Sequence, residues 1–202
     1  MAKLAKLKAE PIRRAEIVKA TILEIGARGS LEVTVAQIAR RAGVSSALAH
    51  HYFGTKEQIF IATMRHVMAL FGAEVRGALI TETGPRSRLE AIIRASFAPG
   101  SFRREVVSAW LNFYVLAQTE SEAHRLLRIY HRRLSTNLIY GLRPLVGDRA
   151  PRVSEVIGAL IDGLYLRAAL AAGPDGRRIG LNPSDAIDLV LDALNREIGP
   201  AK

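Results

Sequence analysis

The sequence predicts an all-α fold, and three observations carry that prediction. Apolar residues recur at i, i+3, i+4 and i+7 through most of the chain. The segments they mark are bounded by proline, glycine and T-x-x-Q signals of helix ends. No stretch shows the alternation of a half-buried strand. Nine helices are expected.

Glu10-Pro11 sets proline in the first turn of the first helix. Ile12, Ala15, Ile17, Val18, Thr21, Ile22 and Ile25 follow at near-helical spacing until Gly26 and Gly29 stop it. Residues 1–10 read as a basic arm, mobile without a partner. Thr34 has the side chain to cap the second helix, and Gln37 stands three residues on, where it reaches back to the cap's backbone. Ile38, Ala39 and Ala42 form the inward side of that helix, Arg40 and Arg41 the outward side. Gly43 follows, where a left-handed backbone is wanted. Ser45 or Ser46 caps the third helix, and Ala49 stands ten residues after Ala39, where the two helices touch.

Gly54-Thr55 ends the third helix, and Thr55 with Gln58 repeats the T-x-x-Q box. A long helix then runs from Lys56 towards Ile80 with Ile59, Thr63, Val67, Leu70 and Phe71 on its buried face. After Gly84-Pro85, the residues Leu89, Ile92, Ile93, Ser96 and Phe97 mark a short helix before Pro99-Gly100. Four more helices are expected near 103–119, 121–142, 151–172 and 183–198. Pro144 and Gly147, a polar loop Gly173-Pro174-Asp175-Gly176, and the capping pair Asn182-Pro183 separate the later ones.

With 202 residues, 49% of them hydrophobic, the chain can bury one good core or a small domain riding on a larger one. The division expected is residues 1–56 and 57–202. The absence of cysteine excludes disulfides, thiolate catalysis and cysteine-ligated metals, and suits a reducing cytoplasm. No apolar run approaches the ~18 residues of a membrane span, and the N-terminus lacks a signal-peptide core. A soluble, cytoplasmic protein is expected.

The paired helices of 34–53 read physically as a DNA-binding helix-turn-helix. The outward face of the second, Ser46, Ala47, Leu48 and His50, is short and uncharged, which suits base edges and thymine methyls. Phosphate-seeking groups flank it: Thr34, Arg40, Tyr52 and Lys56. Residues 1–56 hold 10 Lys/Arg against 4 Asp/Glu, whereas residues 57–202 hold 19 against 15. The positive excess is therefore concentrated on the motif, as counterion-releasing contacts with double-stranded DNA require. With Ser45 and His51 on the same exposed segment, the candidate DNA contacts are Thr34, Arg40, Ser45, Ser46, Ala47, Leu48, His50, His51, Tyr52 and Lys56. A single short recognition helix offers little interface, so a homodimer presenting two is expected. Its faces would be the apolar helix 151–172 and the stripe Ala186, Leu189, Val190, Ala193 and Leu194.

Between Val156 and Pro174 the only charges are Asp162 and Arg167. Five residues on a helix place them roughly 140° apart, so they do not face each other. Asp162 needs another partner: an arginine of a neighbouring helix or subunit, such as Arg132 or Arg133, or a cationic ligand. Trp110, Phe113 and Tyr114 share a stripe that reads either as core or as part of a cage for a quaternary ammonium, with Tyr130 and Tyr165 to close it. The five histidines form no H-E-x-x-H or E-x-x-H site and no nucleophile motif is present, so neither an enzyme nor a metal or cofactor site is expected. An architectural DNA-binder would explain the charge but not the long apolar body.

The helix preceding the motif, the motif itself and the HYFGTKEQI box at 51–59 resemble those of TetR-type transcriptional repressors. That resemblance implies an N-terminal DNA-binding domain, with Tyr52 and Lys56 on phosphates, and a helical effector-binding and dimerisation body. AWLNFYVLAQ (109–118), YHRRLSTNL (130–138) and LIDGLYLRAAL (160–170) are similar to the subfamily of choline-responsive repressors of glycine betaine synthesis. The resemblance thus implies choline or a similar cation as effector. The rival within the family is a sensor of other lipophilic cations or of fatty-acid derivatives.

Overall fold

The computed structural model describes residues 2–101, 103–171 and 180–199, with side chains described from Glu10 onward except at 168–170. Among the described residues the secondary structure is entirely helical: α1 (Ala2–Arg28), α2 (Val35–Arg41), α3 (Ser46–Phe53), α4 (Lys56–Leu79), α5 (Pro85–Ser96), α6 (Arg104–Leu116), α7 (Ser121–Val146), α8 (Ala150–Leu170) and α9 (Pro183–Ile198). Among the described residues these are nine α-helices, and a 3-10 turn at Gly147–Arg149 joins α7 to α8. The polar loop expected at 173–176 lies outside the described residues.

The local signals acted as capping chemistry requires. Gln37 N donates to Thr34 Oγ1 at 3.2 Å while Thr34 N donates to Gln37 Oε1 at 2.8 Å. Thr55 Oγ1 accepts from Gln58 N at 3.3 Å to start α4, and Asn182 Oδ1 accepts from Asp185 N at 2.9 Å to start α9. Two breakers acted later than expected. Pro11 lies inside α1, not in its first turn, and the helix continues back to Ala2. Proline removes one backbone bond, but the alanine, leucine and lysine residues before it are strong helix formers and carry the helix past that loss. Pro144 likewise falls within the last turn of α7.

Gly26 does not end α1. It is where α6 crosses: a Cβ at Gly26 would overlap the Cα and Cβ of Glu105. The helix instead stops at Gly29, whose φ is +70° and whose N–H bonds the Ile25 carbonyl at 2.7 Å. Gly26→Ala is expected to push the two helices apart and cost about 1–3 kcal/mol, read as a lowered midpoint of thermal unfolding.

A single core runs from Ile17 and Ile38 through Ile59 and Ile93 to Ile157 and Val190. Leu70 is half exposed, against the expectation that it is buried. The buried arc of α4 rotates from Ile59 and Thr63 to Met68 and Val75 as its neighbours change from α1 to α5, and leaves Leu70 behind. The stripe on α9 is also divided. Ala186, Val190 and Leu194 are fully buried in this chain's own core, whereas Leu189 is exposed. On α8, Val156 and Leu166 remain exposed.

Candidate DNA interface and effector cavity

Helices α2 and α3 pack together with Ala39 and Ala49 both buried, and Gly43 at φ +67° turns the chain between them. Ser45 Oγ accepts from Leu48 N at 3.1 Å and caps α3. Thr34, Arg40, Ser45, Ala47, His50 and His51 are exposed, while Ser46, Leu48, Tyr52 and Lys56 are half-buried. The N-terminal half of α3 thus offers a low, neutral surface with cationic groups at its margins. His50 Nδ1 lies 2.7 Å from the Gly54 carbonyl oxygen while the residue stays exposed. The ring folds back to satisfy the carbonyl beyond the end of α3. His51 packs its ring 5.6 Å from that of Tyr52. Sequence reasoning missed Arg14, whose guanidinium donates to the Tyr52 carbonyl and lies 4.4 Å over the Phe53 ring. It ties α1 to the end of α3. No local pattern marks such a contact across 38 residues.

The second site lies in the body. Phe71 of α4, Ser101, Trp110 and Tyr114 of α6, Tyr130 of α7, and Asp162 and Tyr165 of α8 enclose one small cavity. The Trp110 ring centroid is 4.6 Å from that of Tyr130 and 6.0 Å from that of Tyr114, and Phe71 lies 5.8 Å from Tyr130. The free space is about 10 Å³, the room of a single water. Asp162 accepts from the Tyr130 hydroxyl at 3.2 Å and lies 3.3 Å from His131 Nε2. Burial, then the Asp162 carboxylate, pushes the Tyr114, Tyr130 and Tyr165 phenols well above their ordinary range. They stay protonated and serve as donors; the Tyr165 hydroxyl donates a hydrogen bond to the Ser96 carbonyl.

Three placements correct the sequence reading. Arg132 and Arg133 are exposed, and the partner of Asp162 is His131. At about 100° per residue, the turn of α7 that points Tyr130 and His131 at α8 carries the two arginines away. Phe113, although edge-on to Trp110 at 6.2 Å, is not part of the cavity wall. It turns towards Ile25, Phe60 and Met64. Adjacent residues on a helix diverge by the same angle, so Phe113 and Tyr114 cannot both face one small space. Phe71 and Ser101 take its place, and neither carried a signal that set it apart from ordinary core or loop.

A larger groove of about 730 Å³ lies between the α4–α5 turn and α7, lined by Glu82, Arg88, Tyr140 and Pro144 among others. Arg88 already sits 5.5 Å over the Tyr140 ring, so this aromatic face is used by an internal cation. It is a poorer match to an ammonium group.

Residues 17–63 match the family described as bacterial regulatory proteins, tetR family, and residues 85–198 match the BetI-type transcriptional repressor C-terminal domain. The chain belongs to the TetR family. Proteins named HTH-type transcriptional regulator BetI from Brucella anthropi and Brucella canis are 48% and 50% identical to it, over 94% of this chain and 95% and 93% of theirs. A transcriptional regulator from Pseudomonas aeruginosa PAO1 shares the fold at a TM-score of 0.77 and 24% identity, covering 94% of this chain and 92% of that one. A regulator from Saccharomonospora viridis, solved in complex with choline, has a TM-score of 0.75 at 21% identity, covering 92% and 96%. This TetR-family chain is a BetI-like transcriptional repressor, not an enzyme. No helix among its described residues is long and apolar enough to cross a membrane.

For a TetR-family regulator, Lys56 stands at the N-terminus of α4 beside the recognition helix, with its Nζ 5.4 Å from the Phe60 ring. Lys56→Ala is expected to weaken binding to all duplexes alike and to reduce the salt slope by about one. Titrations of operator and unrelated DNA over a range of salt would read both effects.

Proposed function

We propose that this repressor works in the cytoplasm as a homodimer that releases its operator when choline, or a close quaternary ammonium, enters the body cavity, and that it controls betaine synthesis genes. Residues 1–56 would hold the operator, and residues 57–202 the effector and the partner subunit. One observation carries the ligand assignment: a carboxylate, Asp162, faces a box walled by Phe71, Trp110, Tyr114, Tyr130 and Tyr165. A quaternary ammonium has no N–H to donate, so ring faces and one negative charge are what it can use. A fatty-acid derivative would have no use for that charge. The BetI names of the relatives and the choline complex of the Saccharomonospora viridis regulator support the same reading.

The box is too small for a trimethylammonium group until Trp110 and Tyr130 part. Parting them moves α6 against α7. The first turn of α6 presses Glu105 on Gly26 of α1, and α1 holds the end of α3 through Arg14. Displacement at the rings would thereby reach the recognition helix. In a dimer it would change the ~34 Å separation of the paired helices, through a coupling of about 1–3 kcal/mol.

The test is fluorescence anisotropy of a labelled duplex from upstream of this protein's own gene. Choline chloride is expected to release the DNA at concentrations where sodium chloride does not. Identical effects of the two salts would reduce the response to ionic screening and refute the assignment.

A further inference from the structure

Asp162 lines two spaces. One is the aromatic box; the other is a cleft of about 190 Å³ between α7 and α8, bordered by His131, Ser135, Ser154, Glu155 and Gly158. His131 lines only the cleft, so it stands on the solvent side of the carboxylate while the box lies on the inner side. Its side chain is 48% exposed, which leaves its proton free to exchange. The imidazole is 3.3 Å from Asp162, its ring stacks at 6.4 Å on Tyr114, and it lies 5.3 Å from Tyr130. An imidazolium here draws on the same carboxylate and two of the same rings that a bound ammonium would use.

We infer that His131 is an internal competitor for the effector: its imidazolium holds Asp162 in the ligand-free protein, and a cation entering the box drives the proton off. The inference rests on the cation reading of the cavity and assigns a specificity-determining residue to it. The groups facing His131 are Asp162 and Glu155 on α8, Tyr114 on α6, and Tyr130 on its own helix, with Arg128 one turn earlier and Arg132 adjacent. The hydrogen bond to Asp162 raises the imidazole above its ordinary value, partial burial opposes this, and the charges of Asp162 and Glu155 add to the rise.

The sign follows from linkage. A bound cation beside Asp162 disfavours the imidazolium, so binding releases a proton wherever His131 is protonated in the free protein. As the pH falls below the His131 titration of the free protein, the apparent Kd for choline then rises by up to about tenfold per pH unit until the choline-bound protein also protonates His131; above the free-protein titration the Kd is flat. Choline carries a charge that does not titrate, so the slope comes from the protein.

The experiment is calorimetry with choline on the full-length protein between about pH 5.5 and pH 8.5, for wild type and His131→Gln, in two buffers of different ionisation enthalpy to count protons released. Wild type is expected to show the acid-side slope and to release close to one proton per choline there and none at the alkaline end. His131→Gln is expected to bind with a flat profile, at least as tightly as wild type at the acid end. A flat wild-type profile without proton release, or an unchanged slope in His131→Gln, overturns the inference and leaves the cation site standing. No choline binding by either protein at any pH overturns both. The wild-type proton count decides the matter even if the variant does not fold.

Discussion

Asp162→Asn is expected to weaken choline binding about 100-fold while the ligand-free protein keeps its operator affinity. The amide has the carboxylate's shape and still accepts from the Tyr130 hydroxyl, so the aromatic box keeps its walls. What it loses is the single negative charge inside the cavity. Close, desolvated charge pairs couple by roughly 1.5–7 kcal/mol, and the lower part of that range already gives the stated loss. The helix-turn-helix makes no contact with Asp162, which is why DNA binding without effector should persist. Calorimetry reads the first effect and anisotropy the second. Unchanged choline affinity would leave Asp162 as a partner of Tyr130 and His131 only.

The second large effect is expected from Leu166→Asp. Val156, Ala159, Gly163 and Leu166 follow one stripe of α8, and Val156 and Leu166 are 45% and 48% exposed. Leu189 on the neighbouring α9 is 46% exposed. Three large apolar side chains left half in water on adjoining helices are what a second copy would cover. A charge at Leu166 removes little from the chain's own core, so the monomer should fold with an unchanged circular dichroism spectrum. Operator affinity should fall by about 10²–10⁴, the avidity lost when two linked half-site contacts become one. Sedimentation velocity should show the monomer. A monomeric Leu166→Asp protein with undiminished operator affinity would refute the dimer.

What could be read from the sequence, and what could not, divides by the range of the interaction. The helix starts at Thr34, Thr55 and Asn182 were legible because capping joins residues three apart. The packing of α2 against α3 was legible because the turn between the helices fixes it. Gly26 was misread as a terminator because its cause, the approach of Glu105 on α6, lies far along the chain. Most of the cavity's lining was legible by type, since the chain has few aromatic residues. Its membership was not. Choosing Phe71 over Phe113, or His131 over Arg132 and Arg133, requires the rotation of each helix about its axis, and packing with other helices sets that rotation.

The proposed relay from box to DNA would run along α6. Trp110 and Glu105 sit on the same helix, the first against Tyr130 and the second against Gly26. A ligand can shift the operator equilibrium only as far as it binds the two states differently. In the proposed function the closed box of this structure and an opened one would supply that difference, because only the opened one would admit a trimethylammonium group.

Recognition of positive charge by the cavity is measured by calorimetry with choline and its uncharged isostere 3,3-dimethylbutanol. The two molecules have nearly the same shape and differ in charge. Choline is expected to bind at micromolar to millimolar concentration and the alcohol at least about 100-fold more weakly, from the loss of the carboxylate pair and of cation–π attraction to the rings. Equal affinity for both, or no binding of either, would contradict it.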